Sequence, residues 1–146
     1  MDNIKIDVKY HNPELIPINF SENGDWIDLR AAQDYHLYPN KFYLLSLGVS
    51  MKLPDGYEAH LAPRSSTFKK WGIIQTNGVG VIDNSYCGEN DVWMMPVITT
   101  KITNIKLNDR ICQFRIMKKM PSNIVINTVE HLSDEDRGGF GSTGEQ

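Results

Sequence analysis

The sequence has few cysteines, no long apolar run and no excess of positive charge. Its two cysteines, Cys87 and Cys112, lie apart without a Cys-x-x-Cys or nearby histidine spacing. Neither a zinc site nor a disulfide framework is therefore indicated, and free thiols are expected. No run reaches the length that spans a bilayer, and the first residues lack the apolar stretch of a secretion signal. We therefore expect a soluble, cytoplasmic protein with no membrane partner.

The charge balance argues against nucleic acid as a partner. The formal net charge is -3 at pH 7, and the basic residues are scattered rather than gathered into a stripe, so no field attracts a polyanion. The chain has 146 residues, of which 40% are hydrophobic. That size allows one compact domain with a core of its own but leaves no room for a second full domain.

Apolar and polar residues alternate near the start of the chain, which is typical of a strand with one buried face. The apolar positions are Ile4, Ile6, Val8 and Tyr10. Short runs of apolar or β-branched residues predict further strands in the ranges 42–51, 57–61, 92–98, 111–117 and 124–129. Only residues 65–71 look helical, with a serine to cap the first turn and Gly72 to end it. Many short strands and one short helix indicate an all-β barrel or sandwich.

Residues 133–146 differ in composition from the rest of the chain. They contain four glycines, and Phe140 is their one large apolar residue, so they cannot pack a core. We therefore predict a single domain over residues 1–132 and a flexible glycine-rich arm over residues 133–146. The arm is either a disordered tail or a cover for a nucleotide. Glycines let backbone amides approach an anion, while Arg137, Ser142 and Thr143 supply charge and hydroxyl donors.

Two internal segments carry candidate chemistry, and each also has a simpler structural explanation. Residues 63–66, with the sequence Pro-Arg-Ser-Ser, form either a turn with a helix cap or a phosphate clasp at the start of the short helix. Residues 77–83 are expected to form a β-hairpin, which is either an ordinary tight turn or part of a binding site. Asp83 ends a strand that we expect to be half-buried, so its carboxylate must be hydrogen-bonded or functional.

Taken together and in order, five segments resemble the characteristic motifs of the trimeric dUTPase family. The segments are Asp28-Leu29-Arg30-Ala31, Pro63-Arg64-Ser65-Ser66, Asn77 to Gly88, Arg110-Ile111-Cys112-Gln113 and Phe140-Gly141-Ser142-Thr143-Gly144. The resemblance spans about residues 25–144. It implies a jelly-roll-like fold of the β-clip type, assembled as a homotrimer with each active site built from three chains.

The resemblance also implies an activity and a cofactor. The family hydrolyses dUTP to dUMP and pyrophosphate, using Mg²⁺ that is held mainly by the triphosphate. This reaction limits uracil incorporation into DNA and supplies dUMP for dTMP synthesis. Two alternatives stay open. A dCTP deaminase-like enzyme shares the fold but releases ammonia from cytosine, and a dUTP-gated regulatory protein would use nucleotide occupancy to control a protein partner.

The resemblance assigns roles to residues by their position. Asp83 matches the aspartate that deprotonates the attacking water, Tyr86 matches the residue packed against deoxyribose, and Asp28 matches an outer-shell contact to magnesium-bound water. The phosphate-side groups are Arg64, Ser65, Ser66 and Gln113. The uracil edge is read by the segment that contains Asn77, Gly80, Val81 and Ile82.

The glycine-rich arm completes the implied site but departs from the usual family pattern. The resemblance implies that Phe140 stacks on uracil, and that four residues close over the phosphates, namely Arg137, Gly141, Ser142 and Thr143. Family tails usually run Arg-Gly-x-Gly-Gly-Phe, whereas two glycines alone separate Arg137 from Phe140 here. The two contacts therefore cannot both take their usual places, and the stacking of Phe140 is a hypothesis.

Overall fold

The computed structural model describes residues 2–20 and 24–140, and this part of the chain has an all-β fold with one short helix. The helix, α1, spans Thr67–Trp71. The strands are β1 (Asp7–Tyr10), β2 (Ile27–Arg30), β3 (Tyr35–Leu37), β4 (Phe42–Ser46), β5 (Val49–Lys52), β6 (Tyr57–Pro63), β7 (Ile73–Gln75), β8 (Gly80–Ile82), β9 (Met94–Thr99), β10 (Thr103–Ile105) and β11 (Arg110–Lys118). The predicted all-β class is therefore confirmed. No helix among the described residues is long and apolar enough to cross a membrane.

The strands form two larger sheets and two small ones. The larger sheets have the orders β2-β11-β6-β8 and β4-β9-β7, and the small sheets are the pairs β1-β5 and β10-β3. The described strand pairs are antiparallel, and most of them join strands that are distant in sequence. The central pair is β6-β11, in which Cys112 lies opposite Pro63 and Lys118 lies opposite Tyr57.

The core lies between the sheets and is built from the inward side of each strand. Leu45 of β4 and Met95 of β9 are directly paired and completely buried. Trp93 and Phe114 pack edge to face, with their ring centroids 5.3 Å apart. Burying a side chain of this size stabilises a fold by about 1.5–3 kcal/mol. The core therefore joins β11 of one large sheet to β4 and β9 of the other.

The short helix begins slightly later than the sequence predicts and ends where expected. Ser66 occupies the N-cap position but makes no side-chain capping hydrogen bond. Gly72 adopts the left-handed conformation at φ 66°, and its N–H donates to the carbonyl oxygen of Phe68 at 2.7 Å. A glycine suits this C-terminal position because it has no Cβ to clash.

Three strand predictions need correction. The range 42–51 is two strands rather than one, because Gly48 at φ 67° breaks the extended chain between β4 and β5. The first strand begins at Asp7 and not at Ile4. The strand predicted at 124–129 is wrong: Val125 and Ile126 are 85% and 94% exposed, and no strand pairs with this segment among the described residues. An apolar run forms a strand only where a neighbouring backbone accepts its hydrogen bonds.

Candidate active site

An open cavity of about 500 Å³ lies beside β8 and β9. Five residues that the sequence predicts to bind substrate or to catalyse the reaction line it together: Asn77, Val81, Ile82, Asp83 and Tyr86. The remaining wall is mostly apolar and includes Leu44, Trp93 and Pro96. A mostly apolar cleft with a few convergent polar groups is the usual form of a small-molecule site.

The segment before β8 does not form the predicted hairpin. β7 pairs with β9, whereas β8 pairs with β6, so the turn at 76–79 passes from one large sheet to the other. The buried side chain of Gln75 holds this turn, because its Nε2 donates to the carbonyl oxygens of Leu61 at 2.9 Å and Gly78 at 3.0 Å. Asn77 therefore stands at the junction between the sheets, at the edge of the cavity.

Gly80 allows the Asn77 side chain to lie close to the start of β8. Gly80 is buried opposite Leu61. A Cβ at this position would lie 3.2 Å from Asn77 Nδ2 and 3.3 Å from Leu61 Cβ. Both distances are tighter than ordinary van der Waals contact, so a larger residue would displace the Asn77 amide or the strand.

Asp83 directly follows β8, which is partly buried as expected, and its own side chain is 55% exposed. The carboxylate is nevertheless hydrogen-bonded. Its Oδ2 accepts from the Ser85 backbone N–H at 2.9 Å, and its Oδ1 lies 3.0 Å from Lys119 Nζ. Hydrogen bonds from the Ser85 side chain and backbone, followed by that from Lys119, hold the pKa of Asp83 well below its ordinary value. Asp83 is therefore ionised at neutral pH and able to accept a proton.

Tyr86 completes the turn that presents Asp83. Its backbone N–H donates to the Asp83 carbonyl oxygen at 3.0 Å, and its hydroxyl donates to the carbonyl oxygen of Val92 at 3.1 Å. The ring is thus held between the turn and the start of β9 while 44% of the residue stays exposed. Its flat face is available at the wall of the cavity.

A second group of predicted residues meets where β2, β11 and the turn before α1 converge. Asp28 Oδ1 lies 3.0 Å from Arg64 Nε, and its Oδ2 lies 3.5 Å from Arg110 Nη1. Gln113 Nε2 donates to the Pro63 carbonyl oxygen at 3.1 Å. Two arginines and one carboxylate leave this group with a net positive charge, which suits an anionic ligand.

Neither serine of residues 63–66 caps α1 with its side chain. Ser65 is exposed, Ser66 is partly exposed, and neither hydroxyl has a hydrogen-bond partner among the described residues. Ser65 and Arg64 line a neighbouring cavity of about 370 Å³ that also touches Gly78. Arg64 and Ser65 thus lie next to the turn that carries Asn77.

The described part of the arm, residues 133–140, is exposed to solvent. Arg137 is exposed and Phe140 is fully exposed, and residues 119–140 contain no helix or strand. The domain boundary at residue 132 stays a prediction, since the last strand ends at Lys118. The predicted phosphate contacts of Gly141, Ser142 and Thr143 lie outside the described residues.

The described side chains could assist a magnesium ion that a ligand brings, but they form no site that would hold the ion by itself. Among residues 2–20 and 24–140, no three His, Cys, Asp or Glu side chains lie close enough together to hold a metal ion. The carboxylate of Asp28 is already shared by two arginines. A carboxylate held in this way keeps lone pairs that could accept from a metal-bound water, and the outer-shell role of Asp28 stays a prediction.

The structure also identifies residues near the site that sequence reasoning missed. Gln75 holds the turn beside Asn77, Thr67 holds the turn that carries Arg64, and Lys119 contacts Asp83. None of these three residues lies in one of the five motif segments. The one available signal was a glutamine directly after two isoleucines, Ile73 and Ile74, because an amide among apolar residues is buried only where it finds hydrogen-bond partners.

The fold matches solved structures of one enzyme class. The dUTPase from phage phi11 of S. aureus aligns with 87% of this chain and 97% of its own, at a TM-score of 0.72 and 16% identity. The dUTPase from Streptococcus mutans aligns with 84% of this chain and 98% of its own, at a TM-score of 0.69 and 22% identity. These similarities define the class of fold, which is that of the dUTPases.

Sequence comparison identifies the family. The profile of the dUTPase family matches residues 18–144. The SPbeta prophage-derived deoxyuridine 5'-triphosphate nucleotidohydrolase YosS of Bacillus subtilis is 55% identical, over 97% of this chain and 99% of its own. The deoxyuridine 5'-triphosphate nucleotidohydrolase of Finegoldia magna is 37% identical, over 97% of this chain and 98% of its own. The chain belongs to the dUTPase family, and it is a hydrolase.

Proposed function

We propose that this protein hydrolyses dUTP to dUMP and pyrophosphate, with Asp83 as the general base. The observation that carries the proposal is the cavity in which an ionised carboxylate, a side-chain amide and an aromatic face meet, at Asp83, Asn77 and Tyr86. These are the groups needed to activate water, to read a pyrimidine edge and to pack against a sugar. The 55% identity to a dUTP nucleotidohydrolase over nearly the full chain supports the same substrate.

The proposed reaction is an in-line displacement at the α-phosphorus. Asp83 accepts a proton from water, the water oxygen bonds to the α-phosphorus, and the bond to the bridging oxygen of the β-phosphate breaks. Pyrophosphate leaves with the electron pair of that bond, and dUMP remains. Because the chain forms no covalent intermediate, its residues contribute by positioning the water and by stabilising charge.

The base and the sugar are selected in the cavity beside β8. Asn77 and the backbone of Gly80, Val81 and Ile82 are proposed to hydrogen-bond the uracil edge. Cytosine presents the opposite donor and acceptor pattern and would leave the Asn77 amide unpaired, which makes discrimination strong. Tyr86 is proposed to pack against the deoxyribose and to leave no room for a 2′-hydroxyl.

The triphosphate is proposed to lie across the positively charged group that includes Arg64. Its other protein ligands would be Ser65, Ser66, Gln113, Arg137, Gly141, Ser142 and Thr143, with Phe140 stacked on uracil. Within residues 2–20 and 24–140 the hydroxyls of Ser65 and Ser66 have no hydrogen-bond partner, and a bound phosphate would satisfy them, which supports this role.

Magnesium is proposed to accompany the triphosphate. The phi11 dUTPase has been described with a structural Mg(II) ion. When bound, the ion would neutralise charge on the phosphate oxygens. Asp28, held by Arg64 and Arg110, would orient a water of its hydration shell.

A homotrimer with shared active sites is proposed from an exposed apolar face on the sheet β4-β9-β7. Phe42, Ile98 and Ile74 lie side by side on this face and are 59%, 41% and 46% exposed, and Leu44 beside them is 56% exposed. Contiguous apolar surface of this kind usually marks a protein interface. Because Leu44 also lines the Asp83 cavity, a second copy on this face would form part of the cavity wall.

The function is tested by separate assays of dUTP and dCTP with the purified protein and Mg²⁺. We expect pyrophosphate from dUTP and no ammonia from dCTP. Asp83→Asn should lose about 10²- to 10⁴-fold in kcat while it still binds dUTP, because a positioned base contributes about that much. Asp91→Asn is a control, since its carboxylate accepts from Gly88 in the next turn. Ammonia from dCTP, or full turnover by Asp83→Asn, would contradict the proposal.

A further inference from the structure

Lys119 connects the end of β11 to the turn that carries Asp83. Its backbone N–H donates to the carbonyl oxygen of Gly56 at 2.8 Å, which fixes the chain just beyond the strand. Its side-chain Nζ donates to Asn84 Oδ1 at 2.6 Å and lies 3.0 Å from Asp83 Oδ1. One ammonium group therefore binds two consecutive residues of the turn from an element that is distant in sequence.

The Asp83 carboxylate is held from two sides. Ser85 donates to Oδ2, and Lys119 donates to Oδ1. An ionised carboxylate offers about four lone-pair sites, so each oxygen keeps a free site for a water molecule. Two contacts on different oxygens fix the rotation of the carboxylate, which one contact would leave free.

We propose that Lys119 is a positioning residue for hydrolysis, which orients the Asp83 carboxylate toward the attacking water. This role rests on the function proposed above, because it acts through the general base. Lys119 belongs to none of the five motif segments, and its contacts with Asp83 and Asn84 depend on where β11 ends relative to β8.

The contact serves orientation more than stability. The side chains of Lys119 and Asp83 are 34% and 55% exposed, and ion pairs in water add little to the free energy of folding. A small error in the placement of a catalytic group, by contrast, lowers the rate strongly. Removal of the ammonium should therefore change turnover far more than the melting temperature.

Removal should also change how activity depends on pH. Lys119 is one of the groups that lower the pKa of Asp83, after the two hydrogen bonds from Ser85. On the strand paired with β8, the titratable side chains of Glu58 and His60 contact each other at 2.6 Å. Without Lys119 the pKa of Asp83 rises, so the carboxylate is protonated at a higher pH. The acidic limb of kcat/KM, which reports the free enzyme, then moves to higher pH.

The test compares Lys119→Met, Lys119→Gln and Lys119→Arg with Lys118→Met. Lys118 is the matched control, because it is exposed and its side chain has no ion pair or hydrogen bond within the described part of the chain. For Lys119→Met we expect kcat for dUTP to fall about 10- to 100-fold with a smaller change in KM, a raised acidic limb and little change in Tm. Lys119→Gln reports the same loss of charge with a polar side chain, and Lys119→Arg should recover part of the rate.

A double variant tests whether Lys119 acts through Asp83. In Asp83→Asn/Lys119→Met, the loss of Lys119 should add nothing to the loss of Asp83, since the lysine acts through that carboxylate. Wild-type kcat and an unmoved acidic limb in both Lys119→Met and Lys119→Gln would overturn the positioning role. If Asp83→Asn is at the same time inactive on dUTP, the proposed function stands. If the wild-type protein does not hydrolyse dUTP, both proposals fail.

Discussion

At the scale of single residues, the candidate site depends on close contacts around small or polar side chains. Gly80 has no side chain, and the space that a Cβ would need is occupied by the Asn77 amide and by Leu61. The Asn77 amide can thus lie where it does because Gly80 has no Cβ. Asp83 shows the opposite case, because its orientation is set by the groups that donate to it, Ser85 and Lys119.

The contact between Gly80 and Asn77 predicts a defect in substrate binding. Gly80→Ala should raise KM for dUTP about 10-fold with a smaller change in kcat, because an added methyl in a packed site costs about 1–3 kcal/mol and displaces the proposed uracil-binding amide. Steady-state kinetics measures both constants. Val79→Ala, at an exposed position in the same turn, should leave them near wild type. An unchanged KM in Gly80→Ala would show that the Asn77 amide is not needed where it lies.

At the scale of secondary-structure elements, one buried hydroxyl at the start of α1 joins the turn before the helix to β11. A helix as short as Thr67–Trp71 is not stable by itself. The Thr67 hydroxyl, which is completely buried, accepts from the Arg64 backbone N–H at 2.8 Å and donates to the Ile111 carbonyl oxygen at 3.0 Å. This hydroxyl fixes the residues proposed to bind phosphate against β11.

The buried Thr67 hydroxyl should therefore contribute to stability, and a substitution that keeps the side-chain shape but removes the hydroxyl tests this. Thr67→Val should lower the free energy of unfolding by about 1–3 kcal/mol, because it leaves a buried donor and a buried acceptor without partners. Thr67→Ser keeps the hydroxyl and should lose less. Urea denaturation of the two variants gives the comparison. Equal stability of Thr67→Val and the wild type would mean that water or a neighbouring group satisfies Arg64 and Ile111.

At the scale of the whole molecule, the sheet β4-β9-β7 has an exposed apolar face and also forms part of the wall of the candidate site. The outward side of β4-β9-β7 carries Phe42, Leu44, Ile74 and Ile98, which are all exposed in the single chain. Their inward neighbours, such as Leu45 and Met95, are fully buried. A sheet that is apolar on both faces is expected where a second layer of protein covers the outer one.

This face predicts how assembly and activity are coupled. Phe42→Glu should shift the protein from the proposed trimer toward a monomer in light scattering coupled to size exclusion, because the introduced charge would be buried without a partner. Activity should fall with trimer content if a second copy completes the cavity. Ile102→Glu, at an exposed position between β9 and β10, is the control. A Phe42→Glu protein that stays trimeric would place the subunit contact elsewhere.

Local residue patterns alone predict much of this protein. Turn residues and β-branched runs indicate the all-β class, and the glycine at 72 predicts where α1 ends, because both are short-range steric effects. The order of the motifs is enough to indicate the family, and Asn77, Asp83 and Tyr86 could be named as a group because they are near one another in the chain. Their shared cavity follows from one short turn and one short strand.

Tertiary structure decides the partners of each strand and the surroundings of each side chain. Residues 77–83 have the composition of a hairpin, yet β7 and β8 join different sheets because β9 and β6 supply their hydrogen bonds. The run at 124–129 has the residues of a strand but no neighbouring strand among the described residues. Lys119 meets Asp83 across 36 positions of sequence only because β11 and β8 flank β6 and both end near its first residues. Such contacts depend on how distant segments pack, and a local pattern carries no information about that packing.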